Sequence, residues 1–364
     1  MSGKKVLIIG ATGLVGHAAL KHFSTQEDCN VISVSRRTPE QSYGAKHISV
    51  DLNNEKQCSE VFGSMNDITH IVYSALYEKP DDLISGWVDQ EQIDTNSRML
   101  RNVFEPLERS SKDLKHVTLM QGAKAYGVHV KSIQNPAREG KSEMYEQPNF
   151  YWLQEDYIKE KQKGKDWNWT IFRPAVIFGE SIGSPMNLLT AFGVYAALLK
   201  EEGKPLHFPG GVETILVATD VDLLARAIAW AGESEKAEGE AFNITNGDVF
   251  VWSTLWPTLA ETLGMEPGEH VPLSLTEEIP KREVEWRHIC EKHNLVAPGI
   301  KDFVGLSVEF ADRYFAYGQR EMRYPPLYSD IKLRQAGFHE CIDTEEMFIK
   351  WLKLFQEKRL LPQN

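Results

Sequence analysis

Three glycines at regular spacing, Gly10, Gly13 and Gly16, close the apolar run Val6-Leu7-Ile8-Ile9 and open a stretch of helical character. Residues of that type at that spacing can hold a pyrophosphate. One glycine lets the backbone bend, a second lets it approach the phosphates, and a third lets helix and strand pack closely. Unpaired N–H groups and the positive end of the helix macrodipole then favour the anion. Gly10, Thr12, Gly13, Leu14, Val15 and Gly16 are therefore the expected phosphate-holding turn of a dinucleotide site.

The second strand, Asn30–Ser35, runs into Ser35-Arg36-Arg37. An acidic residue about 20 positions past such glycines accepts hydrogen bonds from the ribose 2′-OH in NAD-dependent enzymes. A carboxylate there would repel a 2′-phosphate, whereas a planar guanidinium pairs with it. The sequence thus predicts NADP(H) over NAD(H), with Ser35, Arg36 and Arg37 in contact with it. Two surface arginines at a strand end are the competing reading.

These groups need a sheet to position them. His47–Val50 reads as a third strand, with Asp51 and Leu52 in a turn that contacts adenine. Thr69–Ala75 is the fourth, and Ser74 and Ala75 at its end lie under the cofactor, at the carboxyl edge where open α/β sheets bind ligands. Between Glu78 and Arg109 the pattern is helical, with Ile93, Asn96, Leu100, Val103, Phe104 and Leu107 at steps of three and four. Lys115–Met120 and Trp169–Phe172 are the fifth and sixth strands, and Ala241–Thr245 is a later one. Strands alternating with helical segments mean an α/β fold, a right-handed doubly wound parallel (Rossmann) sheet. Residues 1–178 form the expected NADP-binding domain. Residues 179–364 form a mostly helical lobe that roofs the substrate, with a return strand near 240–246 joining the sheet.

The chain has 364 residues, of which 42% are hydrophobic, enough for a large core. With 40 basic and 52 acidic residues its net charge is −12, which argues against nucleic acid or an anionic membrane as partner. The expected partner is a small molecule. Four scattered cysteines indicate neither a disulfide framework nor a zinc site, and His288, Cys290 and His293 read as a solvated helix face. The longest apolar run, Leu188–Leu199, falls short of the ~20 residues of a membrane span and reads as a buried helix. A first strand so close to Met1 leaves no room for a leader peptide, so the expected location is cytoplasmic.

Reductases on this fold usually place a lysine four residues after a catalytic tyrosine. After the fifth strand the chain offers Asn149-Phe150-Tyr151-Trp152-Leu153-Gln154-Glu155-Asp156, with Glu155 where that lysine belongs. A lysine occurs earlier, in Gln121-Gly122-Ala123-Lys124-Ala125-Tyr126. Together with Thr69-His70-Ile71, Arg173-Pro174, Ile177-Phe178-Gly179, Met186-Asn187-Leu188 and Ala241–Phe250, these stretches resemble the progesterone 5β-reductase and iridoid synthase-like family of atypical short-chain dehydrogenases/reductases, over almost the whole chain.

That resemblance implies NADPH-dependent reduction of a C=C bond conjugated to a carbonyl (an enone or enal), and it suggests a homodimer. It implies that Tyr151 donates a hydrogen bond to the enone oxygen while hydride reaches the β-carbon, and that Lys124 supports the tyrosine and the cofactor ribose. A nearby ammonium is expected to push the tyrosine pKa below its ordinary ~10. Gln121, Tyr151, Ile177, Ser184 and Met186 complete the expected cofactor-binding set. The chain departs from the family in three places: Ala125 follows Lys124 where a histidine is usual, Trp152 follows Tyr151 where a second tyrosine is usual, and Ser74-Ala75-Leu76-Tyr77 lacks the usual tryptophan. Two alternatives stay open: a carbonyl reductase or sugar-nucleotide epimerase on the same fold, and a non-catalytic NADP(H)-sensing protein.

Overall fold

Apolar and β-branched runs become strands in the computed structural model, which describes residues 3–79, 85–184, 186–321 and 326–364. In chain order the strands are β1 (Lys4–Ile9), β2 (Cys29–Ser35), β3 (Lys46–Ser49), β4 (His70–Tyr73), β5 (His116–Met120), β6 (Asn168–Pro174), β7 (Val176–Phe178), β8 (Leu206–Phe208), β9 (Ala218–Asp220), β10 (Glu240–Ile244) and β11 (Pro267–His270). Seven of them form one sheet in the order β10-β6-β5-β4-β1-β2-β3. Every pairing in it is parallel. Val6 to Ile9 of β1 and all of β4 are buried, as strands covered on both faces must be. The run β3-β2-β1-β4-β5-β6 is the Rossmann order, and it reverses direction between β1 and β4. That reversal opens a crevice beyond the strand ends.

Helices α1 (Leu14–Ser24), α2 (Glu55–Gly63), α3 (Gln90–Ser110), α4 (Phe150–Gln162) and α6 (Val221–Ala231) accompany the sheet, and α5 (Leu188–Glu201) and α7 (Trp252–Thr262) lie in the second unit described below. α3 buries Ile93, Asn96, Leu100, Val103, Phe104 and Leu107, the face expected from their spacing. The helix does not begin at Glu78, however. Asp89 caps it by accepting from the Glu91 N–H, so it starts at Gln90, after a 3-10 turn over Ser85–Val88. Part of the expected helical stretch, residues 80–84, lies outside the described residues. Two of these seven helices were not anticipated. α2 starts where the Asn54 side chain accepts from the Gln57 N–H, a capping pattern visible in the sequence. α6 buries Val221, Leu223, Leu224 and Ile228.

The chain divides into two compact units. The first comprises residues 1–175, 221–244 and 328–340 and holds the parallel sheet. α6 and residues 328–340, assigned above to the C-terminal lobe, therefore belong to the sheet's unit. The second comprises residues 176–220, 245–327 and 341–364. It holds the parallel pairs β7·β9 and β8·β11. Its core is aromatic: Trp252 meets Trp256, Phe315 and Phe348 with ring centroids 4.8–6.1 Å apart. α5, the longest apolar run, is buried there along most of its length. Among the described residues no helix is long and apolar enough to cross a membrane.

Candidate active site

The glycine turn leaves β1 at the crevice. Gly10 has φ +89°, and a Cβ on it would stand 2.8 Å from the Ala75 nitrogen. Only glycine tolerates both the left-handed backbone and that approach. A Cβ on Gly16 would stand 2.2 Å from the Gly10 carbonyl oxygen, so helix and turn close only around hydrogen. Ser74 sits in the same junction, donating from its hydroxyl to the Ile9 carbonyl at 2.8 Å. Gly13 differs: it is exposed, and its nearest obstacle to a Cβ is 3.4 Å away. It stands at the start of α1, which has no side-chain cap and no acid in its first turn. The first N–H groups of a helix have no partner within it, so Thr12, Leu14 and Val15, all half-buried, border a turn built to receive an anion. The turn fits a dinucleotide pyrophosphate.

Beyond β2, Arg36 and Arg37 are exposed, and neither guanidinium makes a hydrogen bond among the described residues. Their backbone is fixed instead. The Ser35 hydroxyl donates to the Arg37 carbonyl at 2.7 Å and the Ser49 hydroxyl to the Arg36 carbonyl at 2.8 Å. Asp51 accepts from the Asn53 N–H at 3.0 Å, stabilising its own turn. Leu52 is buried in the hydrophobic core, and its carbonyl accepts from Asn102. The backbone of the strand end is hydrogen-bonded while its two cationic heads stay in solvent.

Tyr151 lies in the first turn of α4, where Asn149 is the cap. The Asn149 carbonyl oxygen accepts from the Tyr151 N–H at 3.1 Å, and its amide donates to the Lys124 carbonyl at 3.4 Å. One buried side chain thus ties the loop after β5 to the helix that carries the tyrosine. Trp87, from the 3-10 turn before α3, completes the arrangement. Its ring centroid is 5.3 Å from that of Tyr151, edge-on, and 3.7 Å from the Lys124 ammonium. A Cβ on Gly122 would stand 3.6 Å from the Tyr151 hydroxyl, so glycine leaves that space open. The hydroxyl makes no hydrogen bond among the described residues.

Burial dominates the titration of Tyr151. It raises the pKa well above the usual tyrosine range. The charge of Glu78 adds to the rise and that of Arg173 opposes it. This corrects the expected depression: the Lys124 ammonium sits over the Trp87 indole and does not lower the tyrosine pKa. Tyr151 is a neutral O–H donor, held so by desolvation.

Glu155, where a lysine would be usual, is a structural anion. It is 3% exposed and accepts from Gln121 Nε2 at 2.9 Å. The Arg173 guanidinium reaches it at 3.3 Å and the Lys159 ammonium at 2.5 Å. Arg173 is 1% exposed and also donates from Nε to Gln121 at 2.7 Å and from Nη1 to Glu143. Burial disfavours the Glu143 charge, but N–H donors from the backbone and Arg173 more than offset it and hold its carboxyl below the usual range. Gln121 is therefore fixed by the network, and its amide also reaches the Tyr151 carbonyl at 3.3 Å.

The first unit thus gathers the glycine turn, Ser35, Arg36, Arg37, Ser74, Ala75, Gln121, Lys124 and Tyr151 at strand ends and the loops that leave them. Ile177, Ser184 and Met186 lie in the second unit, Ile177 on β7 and the other two, half-buried, in the segment before α5. The sequence reading missed Trp87 and Glu78. It noted the missing tryptophan after the fourth strand, but nothing in the local pattern shows that Trp87, farther along the chain, brings an indole to Tyr151.

Residues 47–301 match the family described as a PRISE-like Rossmann-fold domain. The chain is 30% identical to an (S)-8-oxocitronellyl enol synthase of Antirrhinum majus, over 98% of this chain and 92% of that one. It is 31% identical to a 3-oxo-Δ4,5-steroid 5-beta-reductase of Arabidopsis thaliana over the same shares. Among solved structures, the UDP-glucose 4-epimerase of Thermotoga maritima aligns with a TM-score of 0.65 at 16% identity, covering 97% of this chain and 99% of that one. The UDP-glucose 4-epimerase of Thermus thermophilus, a complex with NAD, aligns at 0.62 and 15%, with the same coverage. At that identity these two speak for the fold alone. The chain belongs to the PRISE-like Rossmann-fold family, the progesterone 5β-reductase and iridoid synthase-like group of short-chain dehydrogenases/reductases, and is an NAD(P)-dependent oxidoreductase.

Proposed function

We propose that this protein is an NADPH-dependent reductase of the C=C bond of an α,β-unsaturated carbonyl. The observation that carries the reading is the Asn149 bridge, which sets Tyr151 and Lys124 at one site while Glu155 is committed to Arg173. An epimerase or carbonyl reductase of this fold would need a lysine at that position.

NADPH, when bound, supplies hydride to the β-carbon. The substrate then becomes an enolate, and charge develops on its oxygen. Tyr151 is suited to that moment: a fixed neutral O–H stabilises the oxyanion more than the ground-state carbonyl. Because burial raises its pKa, Tyr151 keeps its proton and acts as a hydrogen-bond donor. Lys124, held by the Trp87 ring and by Asn149, brings positive charge to the same site and supports the cofactor ribose. The glycine turn holds the pyrophosphate, and Arg36 and Arg37 offer the unpaired guanidinium groups that a 2′-phosphate requires. The chemistry allows two products, an enol if only oxygen is protonated and a saturated carbonyl if the α-carbon is. Two relatives carry names of these two kinds, enol synthase and 5-beta-reductase.

The test is NADPH oxidation with cyclohexenone, progesterone and small enals, with product analysis. Saturation of the C=C bond supports the reading. Turnover of ketones to alcohols without any of activated alkenes would sink it. Tyr151→Phe should lower kcat by roughly 10²–10³-fold, the cost of removing one oxyanion donor, with NADPH affinity nearly unchanged.

A further inference from the structure

Hydride transfer to an enone leaves one proton to be found. Tyr151 is poorly placed to give it up, since burial favours its neutral form. The site contains another acid.

Glu78 follows β4 in a segment held from both sides by α3. The Asn96 side chain pairs with Tyr77 twice, accepting from its N–H and donating to its carbonyl, both at 2.8 Å. Gln92, one turn away, accepts from the Lys79 N–H at 2.8 Å. Both are completely buried, and Gln154 of α4 holds the Asn96 carbonyl at 3.0 Å. Residues on each side of Glu78 are thus pinned, so its side chain leaves a fixed backbone. Among the described residues its Oε1 is buried without a hydrogen-bond partner, an arrangement that costs about 1–3 kcal/mol for any polar group and more for a charge. Structural carboxylates are paired when buried, as Glu155 and Glu143 are here. Glu78 breaks that rule beside the two groups assigned to the reaction, close enough for its charge to act on both Lys124 and Tyr151.

We propose that Glu78 is the proton source of this site: it enters the reaction as a neutral carboxylic acid and protonates the α-carbon of the enolate. The Glu78 O–H bond breaks and the α-C–H bond forms as the enolate pair closes onto carbon and the carbonyl is restored. NADPH is oxidised, the alkene is reduced, and the Glu78 carboxylate regains its proton from water. The inference rests on the enone-reductase reading and adds the second half of the reaction to it.

The surroundings suit an acid that cycles. Burial raises the Glu78 pKa above the ordinary carboxylate range. The Lys124 charge and the neighbouring Trp87 indole N–H oppose that rise, though neither Glu78 Oε1 nor Trp87 Nε1 completes a hydrogen bond among the described residues. Burial shifts the balance toward the neutral form that the proposal requires, and Lys124 steadies the carboxylate after the reaction. The titratable groups that face this position are Lys124 from the loop after β5 and Tyr151 from α4, with His129 beside Trp87. A neutral Glu78 also removes a negative charge that would oppose the developing enolate.

The experiment uses the full-length enzyme with NADPH and an enone in D2O. The wild type should place deuterium on one face of the α-carbon. Its kcat should fall as pH rises through the Glu78 pKa. Glu78→Gln keeps the shape but not the proton. It should lose roughly 10²-fold in kcat, lose that pH limb, and give α-deuterium on both faces, because protonation then occurs from water after release. NADPH binding, followed by quenching of tryptophan fluorescence, should stay within twofold, which shows the site intact. Unchanged stereospecific deuteration and pH profile in Glu78→Gln would overturn the proposal while leaving the reductase reading in place. If the variant does not fold, the wild type decides alone: α-deuterium on both faces overturns the proposal. No enone turnover by the wild type overturns both.

Discussion

The ammonium of Lys124 stands 3.7 Å from the centre of the Trp87 ring, and the same ring meets Tyr151 edge-on. A cation over a desolvated indole gains about 2 kcal/mol, so Trp87 fixes where Lys124 can act. Replacing it by leucine removes that hold and leaves an apolar side chain in the cluster with Phe150 and Trp152. Trp87→Leu should lower kcat at least tenfold and weaken NADPH binding, and Lys124→Ala should do the same. Steady-state kinetics on both variants checks this. If Trp87→Leu matches the wild type while Lys124→Ala does not, the indole is only packing.

The glycines of the turn should respond differently to the same substitution. Gly16→Ala drives a methyl into the Gly10 carbonyl, with 2.2 Å available. It should lower both thermal stability and cofactor affinity. Gly13→Ala meets nothing closer than 3.4 Å. It should fold with Tm nearly unchanged and still bind NADPH less well, because the methyl occupies the face meant for phosphate. Calorimetry beside a binding titration separates the two effects.

On the proposed NADPH reading, Arg36 and Arg37 carry the choice of cofactor. Removing one charge-assisted hydrogen bond to a 2′-phosphate costs about 1.5–3 kcal/mol, roughly ten- to a hundredfold in affinity. Arg36→Ala should lose that much toward NADPH and little toward NADH. An unmoved NADPH/NADH ratio in both arginine variants would show that the phosphate is held elsewhere.

Restoring the usual lysine should not restore the usual enzyme. Glu155→Lys sets an ammonium against Arg173, itself 1% exposed, and removes one of the two carboxylates that pair with its guanidinium. Breaking a buried pair costs about 3–5 kcal/mol, and a like charge adds to it. The variant should unfold at markedly lower urea concentration than the wild type. Glu155→Gln, which keeps the hydrogen-bonding shape, should lose less.

Acid should weaken the sheet from its N-terminal edge. His70 and His116 are opposed residues of β4 and β5, and their ring centroids are 6.4 Å apart. Burial, helped by the charge of His70, pushes the His116 pKa down to about 3. The unfolded chain binds a proton near pH 6.5, where the folded chain does not. The stability that the neutral ring allows is complete above that value and is lost as pH falls toward 3. Between pH 7 and pH 5 this amounts to roughly 2 kcal/mol at 1.36 kcal/mol per unit. Urea midpoints at the two pH values, for wild type and His116→Leu, check it; the variant should lose less on acidification.

The sequence by itself determined the sheet and the glycine turn. Both are written in local spacing: apolar runs of strand length, three glycines in register, and a helical step of three and four that placed the buried face of α3. The motifs Gln121–Tyr126 and Asn149–Asp156 also identified the family, because they are contiguous. Two features sat at the limit of that method. The start of α3 depended on one cap at Asp89, and α2 on one at Asn54.

Only the tertiary structure decided what the reacting groups meet. Glu155 is a missing lysine in the sequence. In the fold it is the partner of Arg173 and Gln121, which arrive from β6 and from the end of β5. Lys124 is a loop cation in the sequence, and Trp87 gives it a place. The direction of the Tyr151 pKa could not be read from residue types, since a nearby lysine argued for a fall and burial produced a rise. Desolvation and charge act through space, at distances set by packing, and residues far apart in the chain supply them. The backbone's local preferences fix which elements form; the identity of each side chain's neighbours is settled only when those elements close on one another.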